Sequence, residues 1–496
     1  MARAKQGTER PVQWQMYVDG EWVSARDGAT HRIPNPATEE EVAEVPSAKR
    51  EDMRSAIAAA RRAFDEGPWR ATTPADRRRI LLAIADGLER RKEELRSLLI
   101  TAAGAEWVTH MIQLETPIEL CRHYADLALR FEFEEPLPPR TVATARGPAV
   151  CSTVAVHQPV GVCGLIPTWN FPLYVTVQKI DPAIACRNTM VVKPSPYLPL
   201  VDLLIARIVE ECDLPKGVFN VVTGESAELG AELVESPLVD KVSFTGSVET
   251  GKRIMAAAAR TLKRVHLELG GKSATMILDD ANLDEVASTA ASPSFFHAGQ
   301  GCALCTRVLV PERMHDDLVE RMTGFVRMAV KIGDPADPGV MLGPVIREER
   351  RAKIEEYIGI GEREGARLAL GGGRPKDLSK GYFVEPTIFA NVRNHMRIAR
   401  EEIFGPVVSV IPYANEEEAV RLANDSSFGL GGAILTRDVT RALEISKRIR
   451  TGTVSINGGF NLFGPFGGFK ESGIGREGSR WAMEEYTEIQ SVSWVS

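Results

Sequence analysis

Two cysteines, Cys302 and Cys305, stand three positions apart in the stretch FFHAGQGCALCTRV, residues 295–308, of a chain with seven cysteines. That spacing suits half of a structural zinc site, a redox dithiol, a piece of core, or one catalytic nucleophile beside a bystander. Structural zinc needs four ligands, and the sequence has neither a second C-x-x-C pair nor a matching pair among its eight histidines. No metal site is therefore expected. A thioredoxin-like dithiol opens a helix early in a small domain, whereas this pair lies some three hundred residues into the chain.

The nucleophile reading asks for a base, an oxyanion donor and an acceptor for what leaves. RVHLELGGKSA supplies Glu268 at a strand end, followed by Gly270 and Gly271, where backbone can approach a ligand. IPTWNFPLY supplies Asn170, an uncharged amide donor in a loop stiffened by Pro167 and Pro172. Taken singly, a glutamate or an asparagine in a loop is usually a cap or a surface group.

A literal G-x-G-x-x-G occurs at Gly473, Gly475 and Gly478. That pattern holds a dinucleotide only between a strand and a helix, with an acidic residue about 20 positions on. Here no strand immediately precedes Gly473 and only 18 residues follow Gly478, so the match is a false lead. VSFTGSVETGKRI is a better phosphate site: Gly246 permits a tight turn, and Ser247 can cap a helix whose free N–H groups attract an anion. Upstream, VVKPS places Lys193 at another strand end, within reach of a phosphate or ribose.

The elements that must position these groups follow from periodicity. Residues 50–130 carry apolar side chains at helical spacing, as in REDMRSAIAAARRAFDEG. From 150 to 270, β-rich runs such as GVCGLIP, NTMVVKPS, GVFNVVTG, KVSFTGS and RVHLELGG alternate with helical ones, and a second alternation follows from SATMILD to TGTVSING. Alternating strand and helix implies parallel sheets with crossover helices, so two α/β lobes meet near Gly270 and Gly271. We assign residues 1–138 and 157–269 to a first domain, 270–481 to a second, and 139–156 with 482–496 to strands that belong to neither lobe. Exposed strand edges invite pairing with another chain, and a homo-oligomer is expected.

The 496 residues exceed one hydrophobic core, and 44% hydrophobic with 26% charged residues suits a multi-domain globular protein. The net charge of -7 is spread along the chain without a basic stripe, which argues against nucleic-acid partners. The N-terminal MARAKQGTERPVQWQ has no apolar core of a signal peptide, and no apolar run approaches the ~20 residues of a spanning helix. Irregularly spaced cysteines fit reduced thiols, so a soluble cytoplasmic protein without membrane association is expected; Cys121, Cys151, Cys163, Cys186 and Cys212 read as small buried hydrophobes.

PTWNFPL, VVKPS, FTGS, LELGGKS, GQGC, EEIFGPV and PFGGFKESGIGRE occur in an order and at separations that resemble the NAD(P)-dependent aldehyde dehydrogenase superfamily, from MYVDGEW to the C-terminal strand. The resemblance implies a Rossmann-type parallel-sheet cofactor domain (residues 1–138 and 157–269), an α/β catalytic domain (270–481) and a small β oligomerisation element (139–156 and 482–496) making a dimer or tetramer. It implies that Cys302 adds to an aldehyde as thiolate, that Asn170 and the Cys302 N–H hold the oxyanion, and that Glu268 activates the water that hydrolyses the thioester. It places Lys193 at the adenosine ribose, Gly246 and Ser247 at the pyrophosphate and Glu402 at the nicotinamide ribose beside Phe404. Pro167, Thr168, Trp169, Ser195, Pro196 and Leu269 complete the implied cofactor site, and Cys305 becomes a bystander that can protect or oxidise against Cys302.

The sequence departs from the family pattern at three places. Pro196 stands where many NAD-specific relatives have a ribose-binding glutamate, which keeps NADP open beside NAD. Arg187 stands where glycine is usual, and His297–Ala298 where Asn-Gln is frequent; we read His297 as a packing or channel residue. The implied substrate tunnel comprises Phe171, Tyr174, Val175, Gln178, Phe296, Phe460, Leu462, Phe463 and Phe466, with no arginine in GGFNLFGPF to receive a carboxylate. An uncharged hydrophobic aldehyde, aliphatic or aromatic, is expected. The alternatives are a CoA-acylating dehydrogenase, for which the base Glu268 would be superfluous, a cofactor-independent hydrolase using Cys302 and His297, and a non-catalytic protein, which would not need all three of Cys302, Glu268 and Asn170.

Overall fold

The computed structural model describes residues 12–495. The basic N-terminal stretch read above, residues 1–11, lies outside the described residues. The helical spacing of 50–130 becomes the helices Arg50–Asp65, Pro74–Arg90, Lys92–Ala103 and Thr116–Arg130. Thr73 caps the second: its hydroxyl accepts from Asp76 N while Asp76 answers to the Thr73 backbone, satisfying two N–H groups that a helix start leaves open. Trp69, fully buried, anchors these helices by donating its indole N–H to Asn188 O at 3.0 Å.

The first large sheet has eight strands in the order Gly473–Ile474, Arg264–Glu268, Lys241–Thr245, Val162–Ile166, Thr189–Val192, Phe219–Val221, Met16–Val18, Glu21–Val23. Its five central strands are parallel and its edges antiparallel. Chain order starts at Val162–Ile166, runs outward through two neighbours, then returns to Lys241–Thr245 on the other side. Such a reversal opens a crevice beyond the carboxyl ends of the two strands that flank it. Those ends lead directly into Asn170 on one side and Gly246 and Ser247 on the other.

The second sheet has seven strands, ordered Arg367–Leu370, Thr387–Ala390, Val407–Tyr413, Arg307–Pro311, Ala274–Ile277, Gly432–Leu435, Ser455–Ile456. Its four strands from Thr387 to Ile277 in that order are buried at nearly every position, as expected where helices cover both faces. A three-stranded antiparallel sheet joins Thr487–Val495, Gly147–Pro159 and Glu134–Thr144. The stretch 139–156 is thus part of two longer strands joined by a tight hairpin at Gly147. Another three-stranded sheet packs near the amino end: Val12–Gln13, Glu41–Pro46 and Thr30–Pro34. Among the described residues no helix is long and apolar enough to cross a membrane.

Two readings need correction. We assigned residues up to 481 to the second lobe, but Gly473–Ile474 forms a short strand that pairs with Leu267 and Glu268 at the edge of the first sheet. A Cβ on Gly473 would fall on the Leu267 carbonyl, and its φ of +129° is open only to glycine, so the false-lead glycines serve close backbone packing. Cys151 is half-buried on an exposed strand, whereas Cys121, Cys163, Cys186 and Cys212 are buried; all seven cysteines are free thiols. Arg187 occupies a left-handed turn, φ +63°, where its guanidinium donates to Arg70 O at 2.9 Å.

These contacts separate two glycines of similar backbone sign. Gly28, φ +71°, has nothing within 4 Å of a built Cβ, so Gly28→Ala carries only the left-handed penalty of about 1–2 kcal/mol. Gly473→Ala adds a clash with sheet backbone and is expected to lower Tm by at least twice as much in differential scanning fluorimetry. Equal shifts would show that the Gly473 edge yields without cost.

Candidate active site

The nucleophile loop is bent by three successive left-handed residues, His297 (φ +49°), Ala298 (φ +50°) and Gly299 (φ +73°). Gly299 is obligatory there, because a Cβ would enter the Gly405 backbone. Gln300, fully buried, then fixes the loop. Its side-chain amide donates to His297 O at 3.2 Å and its Oε1 accepts from Ile346 N at 2.9 Å. The Gln300 carbonyl accepts from Asn170 Nδ2 at 2.8 Å, which leaves the second N–H of that amide for another acceptor.

Cys302 follows, with its carbonyl lying where a side chain on Gly271 would be. Burial pushes its thiol up to about 12, and the nearby Glu268 and Glu402 carboxylates add to the rise against backbone donors at Cys302 and Ala303. Glu268 is buried and both its carboxyl oxygens lack a hydrogen-bond partner among protein atoms. Burial, reinforced by the charge of Glu477, holds its carboxyl well above the ordinary carboxylate range against the opposing Lys179 and Arg476. Both groups thus hold their protons more tightly than the free thiol and carboxyl do.

Cys302, Asn170 and Glu268 line one cavity of about 1390 Å³. Thr168, Trp169, Gly246, Ser247, Leu269, Glu402 and Phe404 share its wall, as do Phe171, Tyr174, Val175, Phe296, Phe460, Leu462 and Phe466. On one side, Ser247 caps the helix Val248–Ala258 by accepting from Thr250 N, while Gly246 N donates to Glu268 O at 3.0 Å. The Gly246–Ser247 turn and Glu268 are therefore tied through one backbone hydrogen bond. Glu402 accepts from Gly271 N at 3.0 Å, and Phe404, in a left-handed conformation, meets the Trp169 ring edge-on at 5.6 Å. Phe171 stacks on Phe296 at 6.2 Å on the other side. The wall has two cations, Arg350 and Lys353, which sit over the rings of Phe404 and Tyr357.

Several expected residues stand outside the cavity wall. Gln178 lies behind it, donating to the Tyr174 hydroxyl at 2.9 Å, because helical spacing i to i+4 puts the two on one face. Phe463 packs on His123, with ring centroids 5.0 Å apart. Pro167, Lys193, Ser195 and Pro196 also lie off the wall. Lys193 is buried, donates to Pro194 O at 3.1 Å and is pulled down to about 8 by burial. Ser195 Oγ accepts from Tyr197 N, and the Pro196 carbonyl is 3.2 Å from His31 Nε2. His297 is fully buried off the cavity wall: neither ring nitrogen has a hydrogen-bond partner, and a carboxyl oxygen of Glu106 lies 3.6 Å from Nδ1.

Sequence reasoning missed the groups behind Glu268. Lys179, almost fully buried, donates to Glu477 at 2.7 Å and to Ser243 Oγ at 3.0 Å, and His266 lies 3.7 Å from Glu268 Oε1. The one available signal was the i, i+2 spacing of His266 and Glu268, which puts both on one face of their strand.

Residues 22–492 match the family described as the aldehyde dehydrogenase family. The betaine aldehyde dehydrogenase of Bacillus subtilis is 40% identical over 484 residues, 96% of each chain. The geranial dehydrogenase of Castellaniella defragrans is 41% identical over 479 residues, 96% of this chain and 98% of its own. A mutant of aldehyde dehydrogenase C from Pseudomonas syringae, solved with NAD+ and octanal, superposes with a TM-score of 0.91 at 37% identity, covering 97% of this chain and 96% of its own.

With its pKa raised to about 12, Cys302 holds a thiolate fraction that falls tenfold for each pH unit below that value. Iodoacetamide labelling of Cys302 in cofactor-free protein, followed by peptide mass spectrometry, is expected to rise about tenfold per unit from pH 7 to 10. A plateau beginning below pH 9 would refute the buried-thiol assignment.

Proposed function

The chain belongs to the aldehyde dehydrogenase family, NAD(P)-dependent oxidoreductases acting on aldehydes, and from that premise we propose that it oxidises an uncharged hydrophobic aldehyde to the carboxylic acid with NAD. The observation that carries this reading is the convergence of Cys302, Asn170 and Glu268 on one cavity whose remaining wall divides into a phosphate-type turn and an aromatic sleeve.

The residues present fit a dinucleotide. A Ser247-capped helix offers unpaired N–H groups beside Gly246, and Lys193 is a buried donor whose acceptor is only its neighbour's carbonyl. These residues, with Thr168, Trp169 and Leu269 from a unit comprising residues 1–138 and 157–269 and with Glu402 and Phe404 from residues 270–481, would hold it. When bound, NAD supplies the hydride acceptor. Pro196 offers no carboxylate against a 2′-phosphate, so NADP is a second cofactor to test.

The chain's own residues then act in sequence. Cys302 Sγ adds to the aldehyde carbon, and the oxygen that becomes negative is held by the free N–H of Asn170 and the Cys302 backbone N–H. After oxidation the acyl group remains on sulfur as a thioester. Glu268 takes a proton from the water that attacks the acyl carbon, the C–S bond breaks, and the acid leaves. The raised Glu268 carboxyl makes this step faster as pH rises toward that value.

Phe171, Phe296, Phe460 and Phe466 support an apolar substrate, since the wall's two cations are engaged with Phe404 and Tyr357. The geranial and octanal of two relatives point to the same class, while the betaine aldehyde of a third sets the alternative to exclude. A CoA-acylating reaction would leave Glu268 without a task. A Cys302–His297 hydrolase is disfavoured because His297 does not line the cavity that Cys302 lines and neither of its ring nitrogens has a hydrogen-bond partner.

The three-stranded sheet exposes Leu137, Val150, Ile489, Val492, Trp494 and Val495. These apolar side chains, divided between its two faces, support a homo-oligomer, dimer or tetramer, formed through the strands within 139–156 and 482–496. Seven free thiols support a reducing, cytoplasmic setting.

The test is nicotinamide reduction with aldehydes of graded length, aromaticity and charge, in NAD+ and NADP+ separately. Straight-chain and aromatic aldehydes are expected to exceed betaine aldehyde in kcat/KM, with Cys302→Ala inactive. Asn170→Ala is expected to lower kcat roughly 10²–10³-fold. Glu268→Gln is expected to keep a first-turnover burst of NADH and lose the steady state. Preference for a charged aldehyde, or no nicotinamide reduction at all, would overturn the reading.

A further inference from the structure

His266 and Glu268 alternate on the strand Arg264–Glu268, so their side chains share a face of the first sheet. Both are almost fully buried, and the facing atoms, His266 Nε2 and Glu268 Oε1, are 3.7 Å apart. Neither His266 Nε2 nor either oxygen of Glu268 has a hydrogen-bond partner among protein atoms. Buried polar atoms left in this state are costly, and two that face each other point to a contact made during the reaction, when catalytic hydrogen bonds tighten.

The tautomer of the ring follows from its other side. Lys179 is a donor only, and it gives one N–H to Ser243 Oγ at 3.0 Å and one to Glu477 Oε1 at 2.7 Å. The Ser243 hydroxyl is 3.0 Å from His266 Nδ1. With its oxygen already accepting from an ammonium, that hydroxyl is free to donate to Nδ1. The proton of the neutral ring is then on Nε2, aimed at Glu268. Burial together with Lys179, Lys241 and Arg476 keeps the ring neutral by lowering its pKa well below the ordinary histidine value.

We infer that His266 is a positioning residue for Glu268: its Nε2–H donates to the Glu268 carboxylate and sets that carboxylate's aim at the acyl carbon on Cys302. The inference rests on the hydrolytic reading above for the identity of the step it serves. Gly475 makes room for the ring, since a Cβ there would strike Cδ2. The charged groups around it are Lys179 from the helix Pro172–Ala185, Lys241 from the neighbouring strand, and Arg476 and Glu477 after the edge strand. Glu485, which pairs with Lys241 at 3.3 Å, and Glu268 itself complete the set. A donor at Nε2 stabilises the ionised carboxylate, so its loss moves the acid limb of deacylation to higher pH.

The step is readable without cofactor. Cys302 is acylated with p-nitrophenyl acetate, and loss of the acetyl group is followed by quenched-flow intact mass spectrometry from pH 5 to 10. Wild type, His266→Ala and His266→Gln are compared, with melting curves to confirm folding. His266→Ala is expected to move the acid limb up by about one pH unit and to slow deacylation about tenfold below that limb. His266→Gln, which keeps an N–H donor on a shorter arm, is expected to recover part of both effects. An unmoved limb in His266→Ala, or identical limbs for the alanine and glutamine variants, would overturn the inference. Failure of the wild type to reduce NAD+ with any aldehyde would instead overturn the proposed function, and the acyl-loss profiles would still decide the role of His266.

Discussion

One hydrogen bond, Asn170 Nδ2 to Gln300 O at 2.8 Å, joins the loop after a central strand of the first sheet to the loop that presents Cys302 from the second. The nucleophile and the amide that would hold the oxyanion come from segments 130 residues apart, and this bond sets their separation. Gln300 keeps the same geometry from the other side through His297 O and Ile346 N. A buried side chain with every polar atom satisfied holds one rotamer, and catalysis by preorganised donors needs that rigidity. The left-handed run His297–Ala298–Gly299 is the strained backbone that this arrangement holds in place.

Behind that frame the site keeps an unusual charge density away from water. Lys179 and Glu477, with side chains 1% and 7% exposed, form a pair at 2.7 Å, and Glu268 lies in the same pocket. A buried pair of this kind adds little net stability over an apolar substitute, since desolvation offsets the attraction. Its effect here is on proton affinity: Glu477 raises the carboxyl of Glu268 while Lys179 and Arg476 oppose the rise. The result is a carboxyl group that holds its proton well above the ordinary carboxylate range.

The parts of the site that lie within single loops were legible in the sequence, because turn chemistry is local. FTGS predicted a capped helix start at Ser247, and the structure has it; IPTWNFPLY and GQGC placed Asn170 and Cys302 at loop positions, and both line the cavity. Side chains whose direction depends on helix phase were misplaced. Gln178 and Tyr174 lie one turn apart, and only packing decides which of them reaches the cavity. The Lys179–Glu477 pair spans 298 residues and joins a helix of one lobe to a loop near the C-terminus, so no local pattern foretold it. The edge strand beginning at Gly473 went unrecognised for a related reason: two residues have too few side chains to show alternation, and its pairing with Glu268 is purely backbone.

That edge pairing also explains why a G-x-G-x-x-G can be present and hold no phosphate. Each of its glycines is needed where chain meets chain: Gly473 against the Leu267 carbonyl, Gly475 against the His266 ring and Gly478 against the Gly464 carbonyl. Glycine in a phosphate loop and glycine at a crowded backbone crossing meet the same demand, the absence of Cβ, and a regular expression cannot separate them. What separates them is the element that follows. After Ser247 an eleven-residue helix aims its N-terminal N–H groups into the cavity, whereas after Gly478 the helix Ser479–Glu485 has seven residues and leads away into the strand Thr487–Val495. The segment that resembled a cofactor loop is the backing of the strand Arg264–Glu268, with its glycines packed closely against Leu267 and His266.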